Sequence, residues 1–101
     1  MMRLDIIGHL GADAEIKDFS SNQVINFTVA VSETFTRNNE KVTETTWFEC
    51  QKWGNNTQIA QHLKKGGQVY VTGKPNNRSY INNEGNAVVV NGINVMQIQL
   101  L

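Results

Sequence analysis

Hydrophobic and polar residues alternate most cleanly in two stretches of this chain, and the two differ in kind. Val24-Ile25-Asn26-Phe27-Thr28-Val29-Ala30-Val31 places Ile25, Phe27, Val29 and Val31 on one face and Asn26 and Thr28 on the other, the pattern of a half-buried strand. Thr45-Thr46-Trp47-Phe48-Glu49-Cys50-Gln51-Lys52-Trp53 also has the period of a strand. There, Trp47, Glu49, Gln51 and Trp53 share one face, and Phe48, Cys50 and Lys52 share the other. Two tryptophans on a face with Glu and Gln do not read as core, because a core face excludes such polar neighbours.

The remaining pattern fills in an order of elements. Arg3 to Gly11 reads as a strand interrupted by Gly8, where a bulge or tight bend is expected. Asp13 to Asn22 is polar and turn-rich. Thr34 to Thr45 is a polar hairpin with its tip at Arg37-Asn38-Asn39-Glu40-Lys41. The period then changes: Asn55 or Asn56 can cap a short helix through Gln58 to Lys65 that ends at Gly66 and is seated by Ile59 and Leu63. Gln68 to Gly73 is a further strand, Asn77 to Asn86 a second hairpin with its turn at Asn82 to Gly85, and Val88 to Leu100 the closing segment, bent at Gly92. Three strands, a short helix and two strands is the order of an OB-fold, an all-β five-stranded Greek-key barrel, here with two long hairpins.

Composition narrows the functional classes. The 101 residues suffice for one domain, residues 1–101, with a modest core. Nine basic and nine acidic residues balance, unlike domains held on duplex DNA by bulk charge. A lone Cys50 and no signal peptide fit a reducing cytoplasm. No apolar run approaches the ~20 residues that span a bilayer. His9 and His62 are far apart and lack the companions of a metal site or catalytic triad, and no phosphate-cradling Gly-Lys loop occurs. No enzyme activity, metal or cofactor is therefore expected. Flat aromatics on a polar sheet face suit a different chemistry, stacking against the bases of unpaired nucleic acid.

Several segments together resemble the bacterial-type single-stranded DNA-binding proteins. Ile7-Gly8-His9-Leu10-Gly11-Ala12-Asp13-Ala14-Glu15 is similar to that family's apolar strand followed by Gly-x-Leu-Gly-x-Asp-x-Glu. Phe27 to Glu33 resembles its Phe/Ile-x-x-Ala-x-Ser-Glu run, and Thr46-Trp47-Phe48 with Trp53-Gly54 its Thr-x-Trp and aromatic-Gly pair. Leu63-Lys64-Lys65-Gly66-Gly67-Gln68-Val69-Tyr70-Val71-Thr72-Gly73 is the most specific stretch, and Arg78-Ser79-Tyr80 with Glu84-Gly85 resembles the second long hairpin.

The resemblance implies an OB-fold assembled as a homotetramer, with a dimer as the alternative. It implies stacking roles for Phe35, Trp47, Trp53 and Tyr80, and makes Arg3, Arg37, Lys52, Lys64, Lys74 and Arg78 candidates for phosphate contacts. Phe27, Phe48 and Tyr70 are assigned to core or subunit contacts. The implied function is sequence-tolerant coating of single-stranded DNA during replication, recombination or repair, in a cytoplasmic, nucleoid-associated protein. Three features depart from the family, one being the neutral net charge, which should lower affinity and make it lean more on stacking. Glu49 puts an acid between the tryptophans, where it should weaken backbone binding. The sequence also stops at Leu101 without the family's acidic tip, so capture of partners that read such a tip is not expected. The rival readings are a primosome-type OB-fold adaptor acting through protein contacts and, less compatible with the missing signal peptide and disulfides, a secreted oligosaccharide binder.

Overall fold

A computed structural model describes residues 1–54 and 57–101. The described residues form eight strands: β1 (Leu4–Leu10), β2 (Glu15–Phe19), β3 (Asn22–Arg37), β4 (Glu40–Trp53), β5 (Gln68–Pro75), β6 (Arg78–Ile81), β7 (Ala87–Val90) and β8 (Gly92–Leu100). One sheet takes the order β1-β5-β8-β4-β3-β2, and an additional β1–β3 pairing closes it. Five strands, β1, β3, β4, β8 and β5, thus complete a barrel, with β2 added outside β3 and β6–β7 standing off as a separate two-stranded sheet. This is the expected OB arrangement, with a helical turn between the third and fourth barrel strands.

Closure depends on β1 serving two neighbours. Its residues Leu4 to His9 pair with Gly73 to Gln68 of β5, and His9 and Leu10 pair with Ala30 and Val29 of β3. Gly8 sits where β1 meets both. A Cβ placed there would lie 2.3 Å from the Ala30 carbonyl oxygen, so the expected bend is a close backbone approach that only glycine permits. The ladder irregularity falls instead between Thr72 and Gly73, where β5 shifts register against β8.

Alternation then sorts every barrel strand into an inner and an outer face. Ile6, Leu10, Ile25, Phe27, Val29, Cys50, Val69, Val71 and Ile93 form the buried core, with Phe48, Val31 and Ile59 packed against it. Burial pushes the Cys50 thiol up to about 12, which leaves it a neutral packing group. Tyr70, assigned to core or subunit contacts, sits half-buried on the outer side of β5, opposite Ile7 of β1. Beside it, Asp5 accepts a hydrogen bond from the buried Thr72 hydroxyl at 2.7 Å, which holds its carboxyl below the ordinary value.

Two local expectations are corrected. The polar segment Asp13 to Asn22 contains the strand β2, paired with β3 from Glu15↔Asn26 to Phe19↔Asn22. Its burial pattern is exposed throughout, so it carries no hydrophobic period to read. The helix expected over Gln58 to Lys65 is a five-residue 3-10 turn, Gln58–His62, preceded by Thr57; the proposed caps Asn55 and Asn56 lie outside the described residues. It stops at Leu63 because loop groups take over its bonds. The Ala14 N–H donates to the Leu63 carbonyl at 2.9 Å, and the Lys65 N–H donates to Asp13 Oδ1 at 2.8 Å. The lysines therefore lie beyond the turn and not in its last residues. Leu63 is nonetheless fully buried and Ile59 packs on the core, as expected.

Gly8→Ala should destabilise the fold by about 1–3 kcal/mol, the usual range for overpacking a tight contact. Thermal or urea unfolding followed by circular dichroism would measure it; an unchanged midpoint would show that β1 and β3 can separate without cost.

Candidate nucleic-acid interface

The outer face of β4 carries the two tryptophans where alternation places them. Trp47 is 54% and Trp53 49% exposed, while Cys50 between them is 1% exposed on the inner face. Trp53 lies six steps along the strand from Trp47, or about 20 Å at 3.3 Å per residue. Rows of paired residues cross this face. One runs Lys74–Asn94–Gln51–Asn26–Glu15 over β5, β8, β4, β3 and β2; another joins Trp53, Val24 and Lys17. An open groove of ≈ 380 Å³ lies here, lined among others by Glu15, Lys17, Asn26, Thr28, Glu49 and Gln51.

Each indole has its own support. Trp47 lies against Gly11: a Cβ on that glycine would come within 2.4 Å of the indole Cζ3. Trp53 packs against Phe19 at the end of β2, with ring centroids 5.5 Å apart and planes tilted by 38°. Phe19 is itself 54% exposed, so the pair forms a broader apolar platform than a single ring.

Phe19 and Lys17 were not among the candidates read from sequence. The signal that could have found them is the run Glu15-Ile16-Lys17-Asp18-Phe19 before the Ser20-Ser21 turn, where Glu15, Lys17 and Phe19 share one parity.

The β6–β7 hairpin brings two further candidates to this face. Arg78 and Tyr80 share one side of the hairpin with their partners Val90 and Val88. The Arg78 guanidinium reaches Glu49 Oε2 on β4 at 2.5 Å, so that side faces the barrel. Tyr80 is 56% exposed. The tip is fixed by Asn82, whose side-chain oxygen accepts from the Glu84 and Asn86 N–H groups at 3.0 Å, with Gly85 in the left-handed region.

Other candidates are placed elsewhere. Phe35 pairs with Val42 and shares parity with Val29 and Phe48, so it projects from the opposite face of the long β3–β4 hairpin to the tryptophans. Arg37 lies over its ring at 5.3 Å, a cation–π contact. The two-residue tip beyond them has both Asn38 and Asn39 at positive φ, as a primed hairpin turn requires. Lys52 takes the inner parity of β4 and borders a hollow with Tyr70 and Met96. Arg3 is paired with Asp5 at 3.2 Å on β1, across the barrel from β4. Lys64 lies 3.8 Å from Asp13. Lys74 is exposed, on the same row as Gln51. Trp47, Trp53, Tyr80, Lys74 and Arg78 thus border one surface, and Arg3, Phe35, Arg37 and Lys52 lie off it.

Among the described residues no group of three or more His, Cys, Asp or Glu side chains is arranged to hold a metal ion, and no helix is long and apolar enough to cross a membrane.

This arrangement, exposed aromatics over a polar sheet face on an OB barrel, has a family match. The model described as the single-strand binding protein family covers residues 1–101. The chain belongs to this family. A single-stranded DNA-binding protein of Chlorobaculum tepidum is 43% identical over 82 residues, 78% of this chain and 51% of the relative. One of Halalkalibacterium halodurans is 34% identical over 102 residues, 98% of this chain and 60% of the relative. The chain therefore spans about half the length of the curated relatives it matches. A solved Plasmodium falciparum SSB complex with ssDNA superposes with a TM-score of 0.82 at 24% identity, over 100% of this chain and 95% of that one, which establishes the shared fold.

Gly11→Ala should leave the barrel folded, since the atom it meets is the outer edge of an exposed ring, but should push Trp47 off its seat. In a Trp53→Phe background, the variant's Trp47 emission should be quenched more readily by acrylamide. Quenching identical to the parent would show that the glycine does not set the indole.

Proposed function

We propose that this chain binds single-stranded DNA without base preference, by stacking unpaired bases on Trp47, Trp53 and Tyr80. Phe19 broadens the platform under Trp53, and Phe35 contacts strand that passes over the edge of the β3–β4 hairpin. The observation that carries the reading is the pair of half-exposed indoles on a polar sheet face, chemistry that suits the faces of unpaired bases and finds none on a duplex. Lys17, Lys74 and Arg78 border that face and serve phosphates along it. Arg37, Lys52 and Arg3, farther from it, serve a strand that wraps around the barrel, and Lys64, beside Asp13, serves one at the edge of the groove. No catalysis is assigned. The relatives' names support the same reading. The cellular role is to coat exposed strands in replication, recombination or repair in the cytoplasm.

Quenching of tryptophan emission by poly-dT, with duplex DNA alongside, tests the reading directly. Stacking of one base on an aromatic contributes ~1–3 kcal/mol. Trp47→Ala and Trp53→Ala should each weaken poly-dT binding by about that much and leave the salt slope unchanged. Lys74→Ala should lower the slope by about 0.7, the value for one phosphate on a single strand. Folded tryptophan variants that bind like the parent would make those residues structural.

The assembly we propose is a homotetramer. It is supported by the edge of β1 from Leu4 to Gly8, which lacks a partner on the β3 side, and by an adjoining groove lined by Leu4, Ile7, Val31, Phe48 and Tyr70. An open edge beside exposed apolar residues is commonly buried by self-association. Light scattering at micromolar concentration should give four chains per particle; a monomer would overturn the proposal.

A further inference from the structure

Glu49 stands between the tryptophans, where a carboxylate should repel the DNA backbone, and its actual partner is a cation of the same surface. Arg78 Nη2 lies 2.5 Å from Glu49 Oε2, and both side chains are about half exposed, 52% and 51%. The pair is set by the backbone. The Asn76 N–H donates to the Gly92 carbonyl at 2.7 Å, and the Glu49 N–H donates to the Asn91 carbonyl at 2.8 Å. A Cβ on Gly92 would lie 2.2 Å from the Asn76 oxygen. The two chains at the base of the β6–β7 hairpin are thus pinched together, and Arg78, two residues farther on, is held over β4. A hollow of ≈ 350 Å³ opens beside it, lined by Trp47, Glu49 and Val89 to Asn91 among others.

We infer that Glu49 is an internal stand-in for a nucleic-acid phosphate: it occupies the Arg78 guanidinium in the free protein and must be displaced before a phosphate of the bound strand can take its place. The inference rests on the single-stranded DNA reading above. Carboxylate and phosphate offer a guanidinium the same planar, charge-assisted pairing. A half-exposed ion pair is weak, so exchange is inexpensive. Its consequence is electrostatic. Arg78 enters the complex already neutralised, and the released Glu49 carboxylate takes up a cation from solution as the phosphate gives one up. The exchange therefore displaces no net counterion, and Arg78 adds almost nothing to the salt dependence of binding. Glu49 acts as a specificity-determining residue: it biases the surface toward base stacking and away from any polyanion recognised by charge alone.

Poly-dT binding at several salt concentrations, on the parent, Glu49→Gln, Arg78→Ala and the double variant, tests this. Circular dichroism would check the fold of each. Glu49→Gln should bind more tightly at low salt and steepen the salt slope by about 0.7. Its advantage over the parent should therefore shrink about threefold between 50 and 200 mM salt. Arg78→Ala should leave the parent's slope unchanged but remove the entire gain from the Glu49→Gln background. Glu49→Ala should behave as Glu49→Gln does. The inference is overturned if Glu49→Gln keeps the parent's slope, if Arg78→Ala lowers the parent's slope by about 0.7, or if both Glu49 variants bind more weakly than the parent. A parent that ignores poly-dT would instead overturn the single-stranded DNA reading.

Discussion

Everything on this surface depends on how tightly the barrel closes. β1 stays paired with β5 through His9 and meets β3 at Gly8, against the Ala30 carbonyl, at a separation that forbids a side chain. Closure fixes which side of each strand faces inward. Once Phe27, Val29, Cys50 and Ile93 are committed to the core, their neighbours have one place to go. Trp47 and Trp53 are exposed because Phe48 and Cys50 are not. A slip of one residue in β4 would bury the indoles and expose the core set, so core packing and the stacking face are two consequences of one register.

The tryptophans do not rest on the sheet unaided. Trp47 uses the space left by a glycine in the β1–β2 connection, and Trp53 leans on Phe19 from the outermost strand. Both supports come from the segment that joins or extends the barrel, Gly11 to Phe19. The two indoles are thereby held in place by the fold itself. β2, exposed along its whole length, adds little to the core; its contribution is to widen the face and to bring Phe19 and Lys17 onto it.

Zero net charge takes on a specific form here. Three of the basic candidates are paired with acids of the same chain: Arg3 with Asp5, Lys64 with Asp13 and Arg78 with Glu49. Arg37 lies over an aromatic ring. Each pair is exposed enough to be weak and salt-sensitive. Of these cations, Arg3 and Arg37 lie off the tryptophan face, so the charge offset there is that of Arg78 and of Lys64 beside the groove. Zero net charge separates this domain from strongly basic nucleic-acid binders.

Much of this was legible in the chain itself. Strict alternation in residues 24–31 and 45–53 determined β3, β4 and the exposure of the tryptophans, because a period of two has only two faces. Asn38-Asn39 and Asn82 to Gly85 determined their hairpin turns through backbone preferences that need no distant partner. Other features required the folded chain. β2 was illegible because both its faces meet solvent, which leaves polar residues without a period. The helix shortened to one 3-10 turn because Ala14 and Asp13, some fifty residues away, take its terminal bonds. Arg3, Lys52 and Phe35 looked equivalent to Lys74, Arg78 and Trp47 by residue type. Strand register and barrel curvature alone moved them to other faces. That Glu49 meets Arg78 follows from a backbone crossing at Gly92, a contact between distant strands that no local pattern encodes.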